Sequence, residues 1–439
     1  MPSRRSAFSW LVAKEWRELV ASRAWWILVA LVGPLVGLSF ISAVRTYAEI
    51  SAGAGAGCGI VCDPLIGIWG PTFGTYELAA AFFLPFVAIR VASGDRQSGA
   101  LKLELQRPMS MAARVGAKTL VVLAGWVVTY AAGIVAIVLW RSYGGSIALP
   151  ELFVVLAGHT LNAALTIAFA LAIASMTEHP STAAIVTLAM TIGTWIVDFE
   201  AAVHGGLWER LAAYTPAAMV AGFQHALLQV NVTAIGVVLT VMAMAVAGVW
   251  LHLGAPVRRR VAQSFGVIAS ALVVAFVCAH IRGYWDASET RQNSLPEPAE
   301  EALAKLPGPL TIEAHLAAED SRRLALERVA LAKLRRALPS VKVVYTSRTS
   351  TGLYEQQDPG YGEIWYDLGG KRVMSRVITE EGVLETILGL AGLPAADENE
   401  GPIMGHPLVT QPAGAAMAFY GIWPAIVAGV YWLSSRRHV

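Results

Sequence analysis

The sequence predicts an α-helical polytopic membrane protein with about eight transmembrane helices and a small α/β extracytoplasmic domain between the seventh and eighth spans. Of its 439 residues, 56% are hydrophobic and only 15% are charged, whereas an ordinary soluble domain carries about 25% charged residues. The charges crowd into a few segments, which leaves long uncharged runs between them. A stretch of ordinary soluble composition before the last run predicts the α/β domain. The net charge of +2 gives no reason to expect a nucleic-acid partner.

The apolar runs define the spans, because a helix needs about 20 residues to cross a bilayer. The second run is the weakest, since Glu77 and Arg90 lie inside its ends and would have to snorkel to the interface. The eight runs are 25–44, 76–92, 119–140, 152–176, 181–197, 232–253, 265–281 and 415–433. We divide the chain into an interface helix (1–23), six spans (24–255), a basic linker with the seventh span (256–283), the α/β domain (284–414), and the eighth span with its tail (415–439).

Basic residues predict the orientation, because they concentrate on the cytoplasmic side of a membrane. If the spans alternate, the four most basic segments fall on one side, including Arg258 to Arg260 and the chain end. The opposite short loops hold little more than Arg45, Arg141 and Arg210. We therefore expect a bacterial-type inner-membrane protein with both termini cytoplasmic.

Two further segments are predicted to lie against the bilayer without crossing it. Residues 6–22 form an amphipathic pattern typical of a helix in the cytoplasmic interface. Its apolar face is predicted to be Phe8, Leu11, Val12, Trp16 and Leu19, with Lys14, Arg17 and Glu18 elsewhere. The segment 199–230 is too polar to span and is predicted to cap the outer side or to re-enter it.

The outer domain is predicted element by element. Ser294 and Glu297 form a capping-box pattern that would open a helix at 294–306. Residues 310–316 alternate as a half-buried strand, and Val341, Val343 and Tyr345 mark another. Strands 363–368 and 371–377 flank a two-residue hairpin turn at Gly369-Gly370, and a last helix covers 379–390.

The charged helix 320–338 of this domain carries one apolar stripe, made of Leu326, Val329, Ala330, Leu334 and Leu338. Its charged side is either a solvated face or a docking surface for a periplasmic partner. Neither reading requires chemistry from the domain, which offers no catalytic set with a defensible spacing.

Polar side chains inside the spans are candidate pathway residues. His159 and Asn162 lie one helical turn apart in the fourth span, where polar groups usually face the bundle interior. They are either a substrate pathway or an interhelical hydrogen bond, which is the commoner use of such residues. Asp198, Glu200 and His204 at the outer end of the fifth span are either a metal site or proton relay, or solvated helix-end residues, which are more common.

Sulfur-containing residues give two more candidates. Cys58 and Cys62 lie four apart in a Gly/Ala-rich loop predicted outside the membrane, where they form a disulfide or remain two unpaired residues. Met242 and Met244 with His252 could bind copper, but the two methionines point to different faces of a helix and packing is the simpler reading. We predict no metal site.

The stretch GDRQSGALKLELQRPMSMAARVGAK, from Gly94 to Lys118, resembles the signature of ABC type-2 transporter permeases. In that signature an acidic-basic cluster and a Gly precede a Leu-rich helix, a Pro and a Gly-Lys pair. Asp95, Gln97 and Ala100 depart from the usual residues. The resemblance covers roughly residues 1–255, and residues 283–439 are similar to a shortened auxiliary subunit of the gliding-motility-type ABC transporter, fused to the permease.

The resemblance implies a permease that works with a separate ABC ATPase subunit and a second permease copy, giving a homodimer. The ATPase would bind ATP and Mg, so the permease itself needs no cofactor. A cytoplasmic coupling helix at 94–112 would sit in a groove of the ATPase. The residues implied in this coupling are Gly94, Asp95, Arg96, Gly99, Leu101, Leu103, Leu105 and Pro108.

The sequence predicts no enzyme activity for the chain alone. A P-loop needs G-x-x-x-x-G-K-[ST], and the nearest string, Val115 to Thr119, lacks the Gly before the Lys and the upstream strand. The function expected is therefore the transmembrane permease of an ATP-driven exporter. An alternative is a mechanotransmitter or envelope-assembly scaffold that acts through its periplasmic domain without transport. A secondary transporter is a weaker alternative, because paired intramembrane charges are scarce.

Overall fold

The computed structural model describes residues 4–54, 62–97, 99, 109–204, 207–252, 254–289, 291–317, 320–338, 340–346, 360–394 and 405–436. The chain divides into two compact units. The first unit comprises Met1–Ile196, Ala213–Ala287 and Met404–Val439, and the second comprises Val197–Ala212 and Ser288–Ile403. Each unit contains its own cluster of buried apolar side chains.

Helices dominate the described residues. In chain order they are α1 Arg4–Ala21, α2 Arg23–Ala54, α3 Gly70–Phe82, α4 Leu84–Gln97, α5 Met111–Thr129, α6 Ala131–Ser142, α7 Leu149–Met176, α8 Pro180–His204, α9 Leu207–Ala212, α10 Pro216–Gln224, α11 Val230–Leu251, α12 Val257–Ala279, α13 Glu297–Ala304, α14 Ser321–Leu326, α15 Ala332–Ala337, α16 Glu380–Ala391 and α17 Trp423–Arg436. Single π-helical turns precede α3 at Leu65–Trp69, join α14 to α15 at Glu327–Leu331, and precede α17 at Met417–Ile422.

Eight helical segments of the described residues are long and apolar enough to cross a membrane, which confirms the predicted number. They are Arg23–Gly53, Leu65–Asp95, Met111–Ser142, Leu149–Met176, Pro180–Ala201, Val230–Leu251, Val257–Ala279 and Met417–Arg436. Each overlaps one predicted run. The second is much longer than the predicted run 76–92, because the π turn, α3 and α4 follow one another with little interruption.

The eighth span packs on the first through two glycines. Gly33 and Gly37 lie four apart on α2, so both face the same side of the helix. A Cβ added to Gly33 would overlap the Trp423 indole, and one added to Gly37 would overlap the Phe419 ring. The Trp423 Nε1–H also donates to the Val29 carbonyl at 3.0 Å. Small residues thus let two helices approach closely, as in other membrane bundles.

The polar segment before the sixth span packs against the fourth. Phe223 of α10 lies on Gly158 of α7, at a point where any Cβ would collide with its ring. Gly158 is the tenth residue of α7, which places this contact about 13 Å along that helix at 1.5 Å per residue. The strand after α10, β1 Leu227–Gln229, pairs antiparallel with β2 Tyr284–Asp286, which follows α12.

The interface helix buries part of its predicted apolar face against the rest of the first unit. Among the described side chains of α1, those of Leu11, Glu15 and Leu19, spaced four apart, are buried, whereas Phe8 and Trp16 are exposed. Lys14, Arg17 and Glu18 were placed off the apolar face, and Glu15 was given no role, although it lies between Leu11 and Leu19. Glu15 is buried through ion pairs rather than through apolar character.

The second unit contains a four-stranded sheet covered by helices. The strands are β3 Leu310–Ala314, β4 Lys342–Tyr345, β5 Ile364–Leu368 and β6 Lys371–Ser375, in the order β4-β3-β5-β6. β3 and β4 are parallel, and the other neighbours are antiparallel. Gly369 and Gly370 both have positive φ, as the predicted β5–β6 hairpin requires. Alternate residues of β3 and β5 are buried against the helices.

Two predicted features of this unit are wrong. No capping box forms at Ser294, because α13 begins at Glu297 and its N-cap is Pro296, which disfavours helical backbone in the residue before it. The apolar stripe of the charged helix 320–338 is also shifted, because the π turn at Glu327–Leu331 contains more residues than an α-helical turn. Leu331 is buried in consequence, and Val329 is exposed.

The charged helix has a well-defined start. Asp320 is the N-cap of α14 and accepts the Arg322 N–H at 2.8 Å and the Tyr361 hydroxyl at 2.7 Å. The hydrogen bond from the Arg322 side chain is the main cause that lowers the pKa of Asp320 to about 2. The carboxylate is therefore charged at neutral pH, where it stabilises the helix N-terminus.

Candidate functional site

A cluster of buried charges joins α1, α4 and α5. The Lys118 ammonium on α5 donates to Glu15 Oε1 of α1 at 2.8 Å and also to Asp95 Oδ2 of α4. Lys14 Nζ donates to the other oxygen of Asp95 at 2.7 Å. The exposed fractions of Glu15, Asp95 and Lys118 are 0%, 3% and 5%. We call these residues, with Lys14, the charge cluster.

The cluster is held by charge pairing rather than by a metal ion. Carboxylate oxygens of Glu15, Glu18 and Asp95 lie within 4.8 Å of one another, which would suit a cation. The ammonium groups of Lys14 and Lys118 already lie among them and supply the positive charge. Burial raises the pKa of the Glu15 carboxyl, and the two ammonium groups oppose that rise.

The charge cluster lies where the predicted coupling segment begins. Asp95 is buried in the last turn of α4, which ends at Gln97, and Gly94 precedes it in the same helix. Gly99 is exposed and has a φ of +75°, a backbone conformation that favours glycine. The side chain of Arg96 and the residues Leu101, Leu103, Leu105 and Pro108 lie outside the described residues, so their coupling role stays a prediction.

Sequence reasoning found Asp95 but missed the other three members of the charge cluster. Lys14 was assigned to a polar face, Glu15 was not singled out, and Lys118 was taken only as the basic residue that opens the third span. One signal was available, because Lys118 lies eight positions into the apolar helix α5. A lone charge at such a depth requires a partner.

The two candidate pathway residues have different surroundings. His159 is buried, its ring lies 6.1 Å from that of Tyr76, and neither ring nitrogen has a hydrogen-bond partner among the described residues. The interhelical hydrogen bond considered for it is therefore not formed there. Asn162, one turn further along α7, lines a cavity of about 240 Å³.

The remaining candidates are placed as follows. Cys62 is disulfide-bonded and Cys278 is free, but Cys58 lies outside the described residues, so its pairing with Cys62 stays a prediction. Met244 and His252 line a groove between α5, α11 and α12, and Met242 does not. Asp198 and Glu200 lie on α8, and the His204 side chain is outside the described residues.

The carbonyl of Cys62 belongs to a small network that fixes the chain before the eighth span. It accepts the Tyr47 hydroxyl at 2.6 Å and the His406 N–H at 2.8 Å. The Ser51 hydroxyl accepts the Leu408 N–H at 3.1 Å. Residues 405–408 are therefore attached to the end of α2.

Eight helices of the described residues are long and apolar enough to cross a membrane, and the first unit also holds a buried charge cluster and a largely apolar cavity, which together define a multi-pass membrane protein. Residues 9–204 match the family model described as ABC-2 family transporter protein. The match supports an ABC-2 type permease, that is, a membrane component of an ABC transporter. Comparisons with curated proteins and with solved structures returned no match.

Proposed function

We propose that this chain is the permease subunit of an ATP-driven ABC exporter of a bacterial inner membrane, coupled to a separate ATPase subunit and acting as a homodimer. The family match supports the permease. The charge cluster supports the coupling, because it connects the start of the coupling segment to two other helices through ion pairs. The similarity of residues 283–439 to a gliding-motility-type auxiliary subunit belongs to the same proposal.

The proposed coupling passes through Asp95. An ATPase that closes on the segment after α4 would displace Asp95, which Lys118 and Lys14 hold from α5 and α1. Because buried ion pairs are costly to separate, these helices would move together rather than slide past one another. Motion of a cytoplasmic partner would in this way reach the third span, Met111–Ser142.

The test is ATPase turnover with the full chain in nanodiscs. We expect the chain to co-purify with an ABC ATPase and to change its turnover. Leu103→Asp should reduce that effect roughly tenfold or more, because a charge would replace an apolar anchor in the ATPase groove. Val409→Asp is the matched control, since Val409 is 69% exposed on the segment before the eighth span. An ATPase that responds equally to both variants would contradict the proposal.

The proposed orientation is tested by cysteine labelling in intact cells. In a background with Cys278→Ala, we expect Ser110→Cys, within the coupling segment 94–112, to react with a membrane-impermeant maleimide only after permeabilisation. Lys305→Cys in the second unit should react in intact cells, provided the reagent enters the periplasm. Both positions are exposed. Labelling of Ser110→Cys in intact cells would place the coupling segment on the outer side and refute ATPase coupling.

A further inference from the structure

A long groove lies between α5, α11 and α12 in the first unit. Its lining on α11 runs from Val241 to the C-cap His252, eleven positions or about 16 Å at 1.5 Å per residue. The hydrocarbon core of a bilayer is about 30 Å thick, so the groove has the length of one leaflet. Its volume of about 710 Å³ falls within the roughly 300–1,000 Å³ of ligand pockets.

The helix α12 closes the groove only in part. Among its 23 residues, all of which the structure describes, only Ser264 and Ala271 are buried. Gly266 lines the groove, and a Cβ added there would meet nothing within 4 Å. Since α12 is one of the eight candidate spans, we expect the open side of the groove to admit an acyl chain from the bilayer.

The polar side chains of the lining are few and lie mostly at one end. His252 and Gln263 lie near the point where α11 stops and α12 starts, and Ser270 lies two turns further along α12. The Ser270 hydroxyl donates to the Val267 carbonyl at 2.9 Å. His and Gln side chains offer both donors and acceptors, and no carboxylate belongs to the described lining. The groove is therefore apolar along its length and polar at one end.

Three arginines lie at that polar end. Arg259 is four positions before Gln263 and Arg260 is seven before Val267, so both fall on the face of α12 that lines the groove. Arg258 precedes them, and none of the three forms an ion pair within the part of the chain that the structure describes. The polar end therefore carries positive charge that no described carboxylate neutralises.

The Arg260 guanidinium is positioned by an aromatic ring. Its carbon lies 5.9 Å from the centroid of Trp250 on α11, and the Trp250 Nε1–H donates to the Ser264 hydroxyl at 3.0 Å. The buried Nε of Arg260 has no hydrogen-bond partner among the described residues. A guanidinium offers five N–H groups in a fork that matches phosphate oxygens. Helix dipoles do not decide the sign of this site, since α5 and α12 begin at this end and α11 ends there.

We infer that the groove binds one anionic phospholipid, with an acyl chain between α5, α11 and α12 and its phosphate at Arg259 and Arg260. The arginines select an anionic head group, and the length and apolar lining of the groove select a lipid over a free phosphate. The bound lipid connects α12, which is largely exposed, to α5. In the orientation proposed above it belongs to the cytoplasmic leaflet. Binding requires neither an ATPase nor transport, so it does not depend on the proposed function.

The experiment is native mass spectrometry of the full chain in detergent, without ATPase. The probes are phosphatidylglycerol and phosphatidylcholine with identical acyl chains, which differ in net charge. We expect one phosphatidylglycerol per chain to bind roughly tenfold or more tightly than phosphatidylcholine, because the arginines attract the net negative charge. Equal affinity for the two lipids would overturn the inference. Displacement of the lipid by an equal concentration of glycerol phosphate would also overturn it, because the site would then hold a free phosphate.

Arg259→Gln/Arg260→Gln tests the contacts with the head group. Loss of both charges should weaken phosphatidylglycerol binding roughly tenfold or more. Arg23→Gln/Arg436→Gln is the matched control, because it removes the same charge from exposed positions at the ends of two other spans. It should change the affinity by about twofold at most, since distant exposed charges are screened. Equal weakening in both variants would show diffuse attraction to a basic surface and would overturn the inference.

Gly266→Leu tests the contacts with the acyl chain. Its side chain begins in open groove space and should weaken phosphatidylglycerol binding roughly tenfold or more, because the acyl chain loses apolar contacts. Gly429→Leu is the matched control in another span, where a Cβ also meets nothing within 4 Å. Unchanged lipid affinity in Gly266→Leu would overturn the inference. If that variant lost dimer mass instead, the groove would belong to an interface with a second copy of the chain.

Discussion

Lys118→Met should destabilise the first unit by about 3–5 kcal/mol, the usual cost of removing one partner from a buried ion pair. The substitution leaves the carboxylates of Glu15 and Asp95 buried and close together, with Lys14 as their remaining counter-charge. Glu15 Oε2 already has no hydrogen-bond partner among the described residues. Thermal unfolding of the full chain in nanodiscs measures the effect.

Two control variants test whether the loss of stability in Lys118→Met comes from buried, unpaired charge. The triple variant Lys118→Met/Glu15→Gln/Asp95→Asn removes all three charges and should recover most of the lost stability, because neutral replacements of buried ion pairs are often tolerated. Glu18→Gln breaks only the pair with Lys14 at the half-exposed edge, at 3.2 Å, and should cost about 0–1 kcal/mol. Equal losses in Lys118→Met and in the triple variant would contradict this account.

Gly37→Val should detach the eighth span from the first. The added side chain would overlap the Phe419 ring, which is fully buried against α2. Overpacking of this kind typically costs about 1–3 kcal/mol. We expect a lower unfolding temperature and faster proteolysis of the C-terminal residues in detergent.

A double-mutant cycle tests whether the loss of stability in Gly37→Val comes from overlap with the Phe419 ring. Phe419→Ala in the Gly37→Val background should recover part of the loss, because it removes the ring that the new methyl groups meet. Gly429→Val is the matched control in the same helix pair, since nothing lies within 4 Å of a Cβ at Gly429. A full effect at Gly429, or no coupling between Gly37 and Phe419, would count against close packing at Gly37.

The spans and the strands of the second unit could be predicted because their signals are local. A run of apolar residues or an alternating strand flanked by Gly-Gly is visible within a few neighbouring positions. Even for these elements, the observed positions differ from the predicted ones where the backbone departs from regular helical geometry. Because of the π turn at Glu327–Leu331, Leu331 is buried in the core instead of the predicted Val329. No residue type in the sequence indicates such a turn.

The charge cluster and the glycine contacts could not be predicted in the same way. Lys118 and Glu15 are separated by 103 positions, and Trp423 and Val29 by 394. A single sequence shows which residues need partners but not which distant residues supply them. The Gly33–Gly37 spacing was visible as a G-x-x-x-G pattern, yet the Trp423 and Phe419 rings that occupy it belong to the eighth span, Met417–Arg436.

The packing of α17 on α2 has a consequence for biogenesis. During synthesis the first span enters the bilayer with the surface at Gly33 and Gly37 uncovered, because its neighbour is made much later: Trp423 follows Val29 by 394 positions. Until then this face must be shielded by lipid or by an insertion chaperone. A nascent chain released before Phe419 would contain the whole family-matched region, 9–204, and still lack the rings that cover Gly33 and Gly37.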